Sequence, residues 1–315
     1  MRNKVSIIIP FLNEEENISL LTESLSFFFS EKKEFDAEVL FIDDGSTDKS
    51  LQLLKVAKHS RYRCKIISLS KNFGSHAALR AGIQQATGKY ICFMYADLQD
   101  PLELIEKLYF KCEEGNDVCW ATRESTQNGW WEQTFSKTYA SMMKRYAIST
   151  YPEKGFDIVM FNQKVQTCLN QNVENNSSVF LQILILGFKQ ATLFYKKEAR
   201  KRGTSKWTIS KKIKLVVDSF IAFSYAPIRF VTITGIVLFV LGIVWTIYIV
   251  TRKLVYNDLE SGWPALVSIL TIGFGITNIS LGIIAEYLWR TLDSSRKRPV
   301  YIINEIFEIA TNEIN

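Results

Sequence analysis

Two long stretches without a charged side chain constrain this 315-residue chain more than any other feature. Phe230 to Thr251 runs uncharged for about 22 residues, and Ser261 to Ala285 for about 25. A helix needs roughly 20 apolar residues to cross the hydrocarbon core of a bilayer. Two transmembrane helices joined by the linker Arg252 to Glu260 are therefore predicted; a buried helical hairpin is the alternative. Ahead of them, Ile209, Ile213, Val216, Val217 and Phe220 fall at helical spacing, with Lys211, Lys212 and Lys214 on the other side. That pattern suits a basic amphipathic helix in the membrane interface, or an ordinary surface helix. The outer flanks, Lys211 to Arg229 and Arg290 to Arg298, carry the larger basic excess. The positive-inside rule then places both flanks, and both termini, on the cytoplasmic side of an inner or plasma membrane.

Charge narrows the partners. The net charge of +6 is concentrated between Lys189 and Lys214 and in Arg296-Lys297-Arg298. Such local excess suits anionic lipid headgroups or phosphorylated substrates. Nucleic acid is not an expected partner, because the basic runs flank apolar segments. Five cysteines, an odd number with no Cys-x-x-Cys, argue against a disulfide frame or a zinc site and for reduced thiols facing the cytosol. Met1-Arg2-Asn3-Lys4 leads straight into a strand-like run, so no cleavable leader is expected.

The first two thirds of the chain alternate strand and helix patterns. Val5–Pro10, Glu38–Ile42, Lys65–Leu69, Tyr90–Tyr95 and Asp117–Ala121 read as strands. Helices are expected from Asn13-Glu14-Glu15-Glu16 to about Phe29, from Asp48 to about Lys58, over Ser75–Ala86 with Gly88 as its C-cap, and over Pro101–Glu113. Trp130–Ala147 reads as a further helix; Phe156–Phe161 and Gln190–Lys196 read as further strands. Short alternation of this kind specifies an α/β fold, a mainly parallel sheet with helices on both faces.

Within it, Tyr90 to Tyr95 is apolar without polar alternation, so a strand buried on both faces is predicted. It stops at Ala96-Asp97-Leu98-Gln99-Asp100-Pro101. In open α/β sheets ligands bind outside the carboxyl ends of the strands, which makes Asp97 and Gln99 candidate site residues. The bland alternative is a solvated loop with Asp100 capping the next helix. Asp43-Asp44-Gly45-Ser46-Thr47-Asp48 ends another strand; its carboxylates could accept hydrogen bonds from a base and a ribose, or simply cap a turn.

Several segments together resemble one family. These are Ile7-Ile8-Ile9-Pro10 with Asn13-Glu14-Glu15, the Asp43–Asp48 run, Leu69–Gly74 with Ala77-Ala78 and Ala81-Gly82, Ala96–Pro101, and Arg202-Gly203-Thr204-Ser205-Lys206-Trp207. They are similar to the family 2 glycosyltransferases of GT-A fold. The nearest resemblance is to the polyprenyl-phosphate glycosyltransferases, the group that includes dolichol-phosphate mannose synthase and bactoprenol glucosyltransferase. It extends over the membrane hairpin and the ending Arg298-Pro299-Val300-Tyr301. The Gln-x-x-Arg-Trp signature of processive polysaccharide synthases is not found.

The resemblance implies a GT-A nucleotide-diphospho-sugar transferase domain over 1–207, an amphipathic interfacial helix over 208–228, a two-helix transmembrane hairpin over 229–290 and a cytoplasmic tail over 291–315. It implies a membrane-bound, inverting transfer of one hexose from a nucleotide sugar to a polyprenyl phosphate, in the making of cell-envelope polysaccharide. Self-association through the membrane part is also implied. Pro10, Glu14, Asp43, Asp44 and Ser46 would hold the nucleotide. Asp97 and Gln99 would hold Mg²⁺ or Mn²⁺ on the diphosphate. Arg123, Arg200, Ser205 and Lys206 would hold phosphates of donor or acceptor. Asp157 falls where the family places a carboxylate close to the acceptor; with Asp97 it is a candidate catalytic residue, and toward a lipid monophosphate it would orient the acceptor or sugar more than act as a base. The family's usual Asp-x-Asp reads Tyr95-Ala96-Asp97 here, and a second arginine shortly after Arg123 is not apparent. Transfer to a glycan or lipid hydroxyl is an alternative, for which Asp157 would be the general base. A non-catalytic sugar-nucleotide sensor or membrane scaffold is another, suggested by Tyr95.

Overall fold

The structure, a computed structural model, describes residues 2–31, 34–124, 130–152, 155–173, 177–196, 224, 226–256, 262–296 and 298–309. They divide into two units, one within Met1–Val216 and Pro299–Asn315, the other within Val217–Arg298.

The first unit is built on one eight-stranded sheet. Its parallel half consists of β1 (Lys4–Phe11), β2 (Asp36–Asp43), β3 (Arg63–Leu69) and β4 (Tyr90–Phe93), in the spatial order β4-β1-β2-β3. The crossovers run through α1 (Glu15–Glu31), α2 (Ser50–Val56) and α3 (Ser75–Gln85). Beyond β4 the sheet continues through β6 (Ile158–Asn162), β5 (Val118–Arg123) and β7 (Gln190–Tyr195). β6 runs antiparallel to both β4 and β5, and β7 runs parallel to β5. α4 (Glu103–Glu113) leads into β5, and α5 (Trp130–Tyr146), α6 (Gln163–Gln171) and α7 (Val179–Ile185) complete the unit.

Alternation along the strands divides the core between the two faces. Val5, Ile7, Ile9, Val39, Phe41 and Ile66 pack with Ile18, Leu21, Leu25 and Phe28 of α1 and with Leu104, Ile105 and Leu108 of α4. α3 packs on β1 and β2 through Ala77, Ala78, Ala81 and Ile83. α1 carries Glu15 and Glu16 in its first turn, where the helix dipole favours them.

Three expectations change. The segment 291–315, expected as a tail, supplies β8 (Ile303–Ile309), which pairs antiparallel with β3 and closes that edge of the sheet. Gly88 is not a helix C-cap: α3 is capped by Ala86 in extended backbone. Gly88 is instead where the chain crosses β1, and a Cβ there would lie 2.6 Å from the Ser6 amide nitrogen. The strand expected to Tyr95 ends at Phe93, and α4 begins at Glu103 rather than at Pro101. All five cysteines are free, and burial pushes the Cys64 thiol up to about 12.

The second unit holds two long helices, α8 (Ala226–Tyr256) and α9 (Trp263–Ser295). Phe230, Ile236, Trp245, Phe274 and Leu288 stand exposed along them. The Tyr287 hydroxyl donates to the Ser224 carbonyl at 3.0 Å. Among the described residues no helix is long and apolar enough to cross a membrane. Most of the segment 208–228, expected as an interfacial helix, lies outside the described residues.

Candidate active site

The parallel strands all point their carboxyl ends to one edge of the sheet, and most of the candidate residues gather there. After β1 and β2 the chain forms two loops laced to each other. The Asn13 amide donates to Ser46 Oγ at 3.0 Å, and Asn13 Oδ1 accepts from the Thr47 amide at 2.8 Å. The Glu14 amide donates to Ser50 Oγ at 2.8 Å, and Glu15 Oε2 accepts from the Lys49 amide at 3.1 Å. Asn13 adopts a left-handed conformation, φ 51°, which asparagine tolerates better than most residues.

Asp43 and Asp44 are both buried. Asp43 Oδ1 accepts from the Ser46 amide at 2.9 Å, and its Oδ2 accepts from Ser68 Oγ at 3.2 Å. Asp44 reaches the next loop, accepting from the amides of Phe73 at 2.7 Å and Gly74 at 2.9 Å. Burial raises the Asp44 pKa, those two amides work against the rise, and Asp43 adds to it. The two carboxylates tie the loop after β2 to β3 and to the loop that follows it, and Asn13 and Glu15 add the loop after β1 to the same wall. Gly45 is obligatory in that wall: its φ is +73°, and a Cβ would meet the Lys71 carbonyl carbon at 2.5 Å. Pro10 is buried in β1 opposite Ile42; Glu14 is half-buried and accepts from Asn17 Nδ2 at 2.7 Å.

The second half of the edge lies past β4. Asp97 and Gln99 are half-buried, and the Gln99 amide donates to Asp97 Oδ1 at 3.3 Å. Leu98 between them has φ 52°, so the turn is tight. Asp100 is buried and accepts from the Tyr195 hydroxyl at 2.5 Å. It is therefore tied to β7 by its side chain, and the cap of α4 is Leu102.

Topology brings distant residues to the same place. Because β6 runs antiparallel between β4 and β5, its start adjoins their ends. The Asp157 amide donates to the Ala121 carbonyl at 3.1 Å, and Arg123 pairs with Tyr195 across β5 and β7. Arg123 then grips Asp157 with two bonds, Nε to Oδ2 at 3.0 Å and Nη2 to Oδ1 at 2.5 Å. Burial works against the Arg123 charge, but the bonds and charge of Asp157 leave its pKa raised. The Tyr95 phenol is pushed up, first by burial and then by Asp100, Asp157 and Asp97. The structure thus joins Asp97, Asp157 and Arg123, each expected from sequence, with Tyr95, Asp100 and Tyr195. Arg200, Ser205 and Lys206 lie outside the described residues. Tyr195 was absent from the expected set, although its place at the carboxyl end of a strand is the same signal that singled out Asp97.

Residues 6–174 match the family described as Glycosyl transferase family 2. An uncharacterized glycosyltransferase of Synechocystis is 32% identical over 309 residues, covering 98% of this chain and 96% of that protein. The undecaprenyl-phosphate 4-deoxy-4-formamido-L-arabinose transferase of Proteus mirabilis is 30% identical, with 96% and 94% covered. A prophage bactoprenol glucosyl transferase homolog of Escherichia coli is 29% identical, with 96% and 99% covered. Among solved structures, the glucosyl-3-phosphoglycerate synthase of Mycobacterium tuberculosis, bound to Mn²⁺, UDP-glucose and phosphoglyceric acid, is similar with a TM-score of 0.50. That likeness, at 16% identity over 70% of this chain and 78% of that one, concerns the fold alone. The sheet is of GT-A type, and the chain belongs to glycosyl transferase family 2.

Proposed function

We propose that this glycosyltransferase moves one hexose, with inversion, from a nucleotide-diphosphate sugar to a polyprenyl phosphate at the cytoplasmic face of a membrane. One observation carries the reading. Similarity to proteins named as undecaprenyl-phosphate and bactoprenol sugar transferases covers 96% of the chain, well beyond the sheet unit.

The residues support a division of labour. The wall tied by Asp43 and Asp44, with Pro10, Glu14 and Ser46, would seat the nucleotide. Asp97 and Gln99 would hold Mg²⁺ or Mn²⁺ together with the donor's diphosphate. Among the described residues no group of three or more His, Cys, Asp or Glu could hold a metal by itself. A site shared with substrate fits nonetheless, since Mg²⁺ commonly takes one or two carboxylates plus phosphate oxygens and waters. When bound, such an ion supplies positive charge to the departing nucleoside diphosphate. Arg123, with Arg200, Ser205 and Lys206, would bind phosphates. A lipid monophosphate has its second pKa near about 6, so at neutral pH it is mostly a dianion and ready to attack.

The 31-residue α8 contains the uncharged run Phe230–Thr251, and the 33-residue α9 takes in most of the run Ser261–Ala285. We read them as the membrane hairpin of a multi-pass protein. The sheet unit and both termini are then cytoplasmic, 208–228 lies in the interface, and self-association through the hairpin is open to it.

The test is transfer of labelled sugar from a panel of UDP- and GDP-sugars to undecaprenyl phosphate by the full chain in membranes, with Mg²⁺, Mn²⁺ and chelator compared. Metal-dependent label in the lipid phase is expected. Label on a glycan or lipid hydroxyl instead would change the acceptor. Nucleotide binding without any transfer would leave a sugar-nucleotide sensor.

A further inference from the structure

We infer that Asp157 is a positioning residue for Arg123, holding its guanidinium ready for the acceptor's phosphate, and does not itself remove a proton. This rests on the lipid-phosphate reading above, and it assigns work within that site.

Geometry carries the argument. Both oxygens of Asp157 accept from Arg123, fork on fork, the arrangement in which carboxylate and guanidinium bind most specifically. Each oxygen of Asp157 is turned toward an N–H of Arg123, so one acceptor position on each is spent on the pair. Exposure is unequal: the Asp157 side chain is 6% exposed and that of Arg123 31%. What an incoming group meets is therefore the cation. Guanidinium has five N–H groups, and two of them serve Asp157, so three remain to serve an anion without breaking the pair.

The backbone of Asp157 is fixed as well. Its amide is bonded to Ala121, and the Thr122 hydroxyl donates to the Gly155 carbonyl at 3.1 Å just ahead of it. A carboxylate so anchored is a post against which a long side chain can be held. Without it, Arg123 would lie among Asp100, Tyr195 and the other acids of this edge with several competing partners.

Chemistry agrees. A phosphate monoester dianion attacks with an oxygen that carries no proton. The new bond joins that oxygen to the anomeric carbon, and the bond from that carbon to the diphosphate breaks with its electron pair on the leaving group. No proton needs a destination. What the dianion does need, beside three carboxylates, is a fixed positive charge.

A double-mutant cycle tests this, with Arg123→Ala, Asp157→Ala and both together in the full chain, assayed for kcat and for KM toward undecaprenyl phosphate. Because Asp157 is buried, Asp157→Asn, of nearly the same shape, serves in the cycle if the alanine variant does not fold. Asp157→Asn is expected to raise the acceptor KM about tenfold with kcat within about threefold, and Arg123→Ala to raise it about a hundredfold. The double variant should fall within about twofold of Arg123→Ala alone, since a residue that acts through another has nothing left to do once that other is gone. A general base contributes about 10²–10⁴ in rate. A further loss of that size in kcat, on removing Asp157 from the Arg123→Ala background, would overturn the inference while leaving the lipid-phosphate reading in place. Wild-type transfer to a hydroxyl acceptor in place of the lipid phosphate would overturn both, because that acceptor has a proton to lose.

Discussion

The two ends of the sheet treat buried charge in opposite ways. At the amino end, Glu38 is 5% exposed and fully engaged. Its oxygens accept from Lys4 Nζ at 3.0 Å, Ser6 Oγ at 2.5 Å and the Thr87 amide at 3.1 Å. Burial alone would raise its pKa, but the bonds from Ser6, Lys4 and Thr87 more than offset that and leave it lowered. One carboxylate meets one ammonium and several neutral donors, and Ser6 passes the network on to the Gly88 amide at 2.8 Å. At the carboxyl end, Asp97, Asp100 and Asp157 gather around Tyr95, with Arg123 as the cation bonded to Asp157. Acids outnumber the cation among these residues. A closed network fixes strands to one another; several carboxylates gathered at one strand edge are a place where a bound cation would be favoured. On the function proposed above, the first set builds the fold and the second serves a ligand.

The strongest break in that contrast is Asp97→Ala. It removes a half-buried carboxylate that accepts from the Gln99 amide next to it. Transfer should fall about 10³-fold in kcat, on the scale of losing one electrostatic group aimed at developing charge. The melting temperature should stay within about 2 °C of wild type. Turnover near the wild-type rate would remove Asp97 from the site.

Glu38→Gln is the matching change at the other end and should leave kcat alone. The expected cost is in stability, about 2 kcal/mol at pH 7, because Lys4 loses its buried partner. The pH dependence has a definite sign. A carboxyl group whose pKa is lower folded than unfolded stabilises above its unfolded value and loses that contribution as pH falls through the folded one. The gap between wild type and Glu38→Gln should therefore be full at neutral pH and close as pH drops below 4.5, the ordinary value. Urea unfolding at several pH values measures it.

Much of this was open to reading from sequence where the signal is local. β1, β2 and the strand ending before Asp97 follow from apolar runs bounded by turn residues, and Glu15 and Glu16 mark the start of α1. The N-cap of α6 was equally legible and was passed over: Asn162 Oδ1 accepts from the amides of Lys164 and Val165, the ordinary reason for asparagine at that position. Other features depend on contacts that no local pattern encodes. β8 is set by pairing with β3, more than 230 residues earlier, as in Ile306 opposite Ile67. The Arg123–Asp157 pair exists because β6 inserts antiparallel between β4 and β5, and strand order is invisible to periodicity. Asp44 read as a ligand for a nucleotide, yet its strongest visible partners are the amides of Phe73 and Gly74.

Tyr95→Asp sharpens the contrast from the other direction, by adding a carboxylate beside Asp97, Asp100 and Asp157. The Tyr95 phenol stays protonated at neutral pH, held there by burial and by Asp100, Asp157 and Asp97. It therefore contributes no charge to a bound cation. An aspartate at 95 faces the same three carboxylates, and like charges this close oppose one another unless a cation sits between them. Two effects should follow from one cause. Transfer in the presence of chelator should fall about tenfold below that of the wild-type chain, because the unneutralised site repels the donor's diphosphate. The Mn²⁺ concentration that gives half-maximal transfer should also drop about tenfold, because a second carboxylate joins Asp97 as a ligand. If residual transfer in chelator and the Mn²⁺ midpoint both stay put, position 95 does not face the metal. Basic residues other than Arg123 would then neutralise the leaving group.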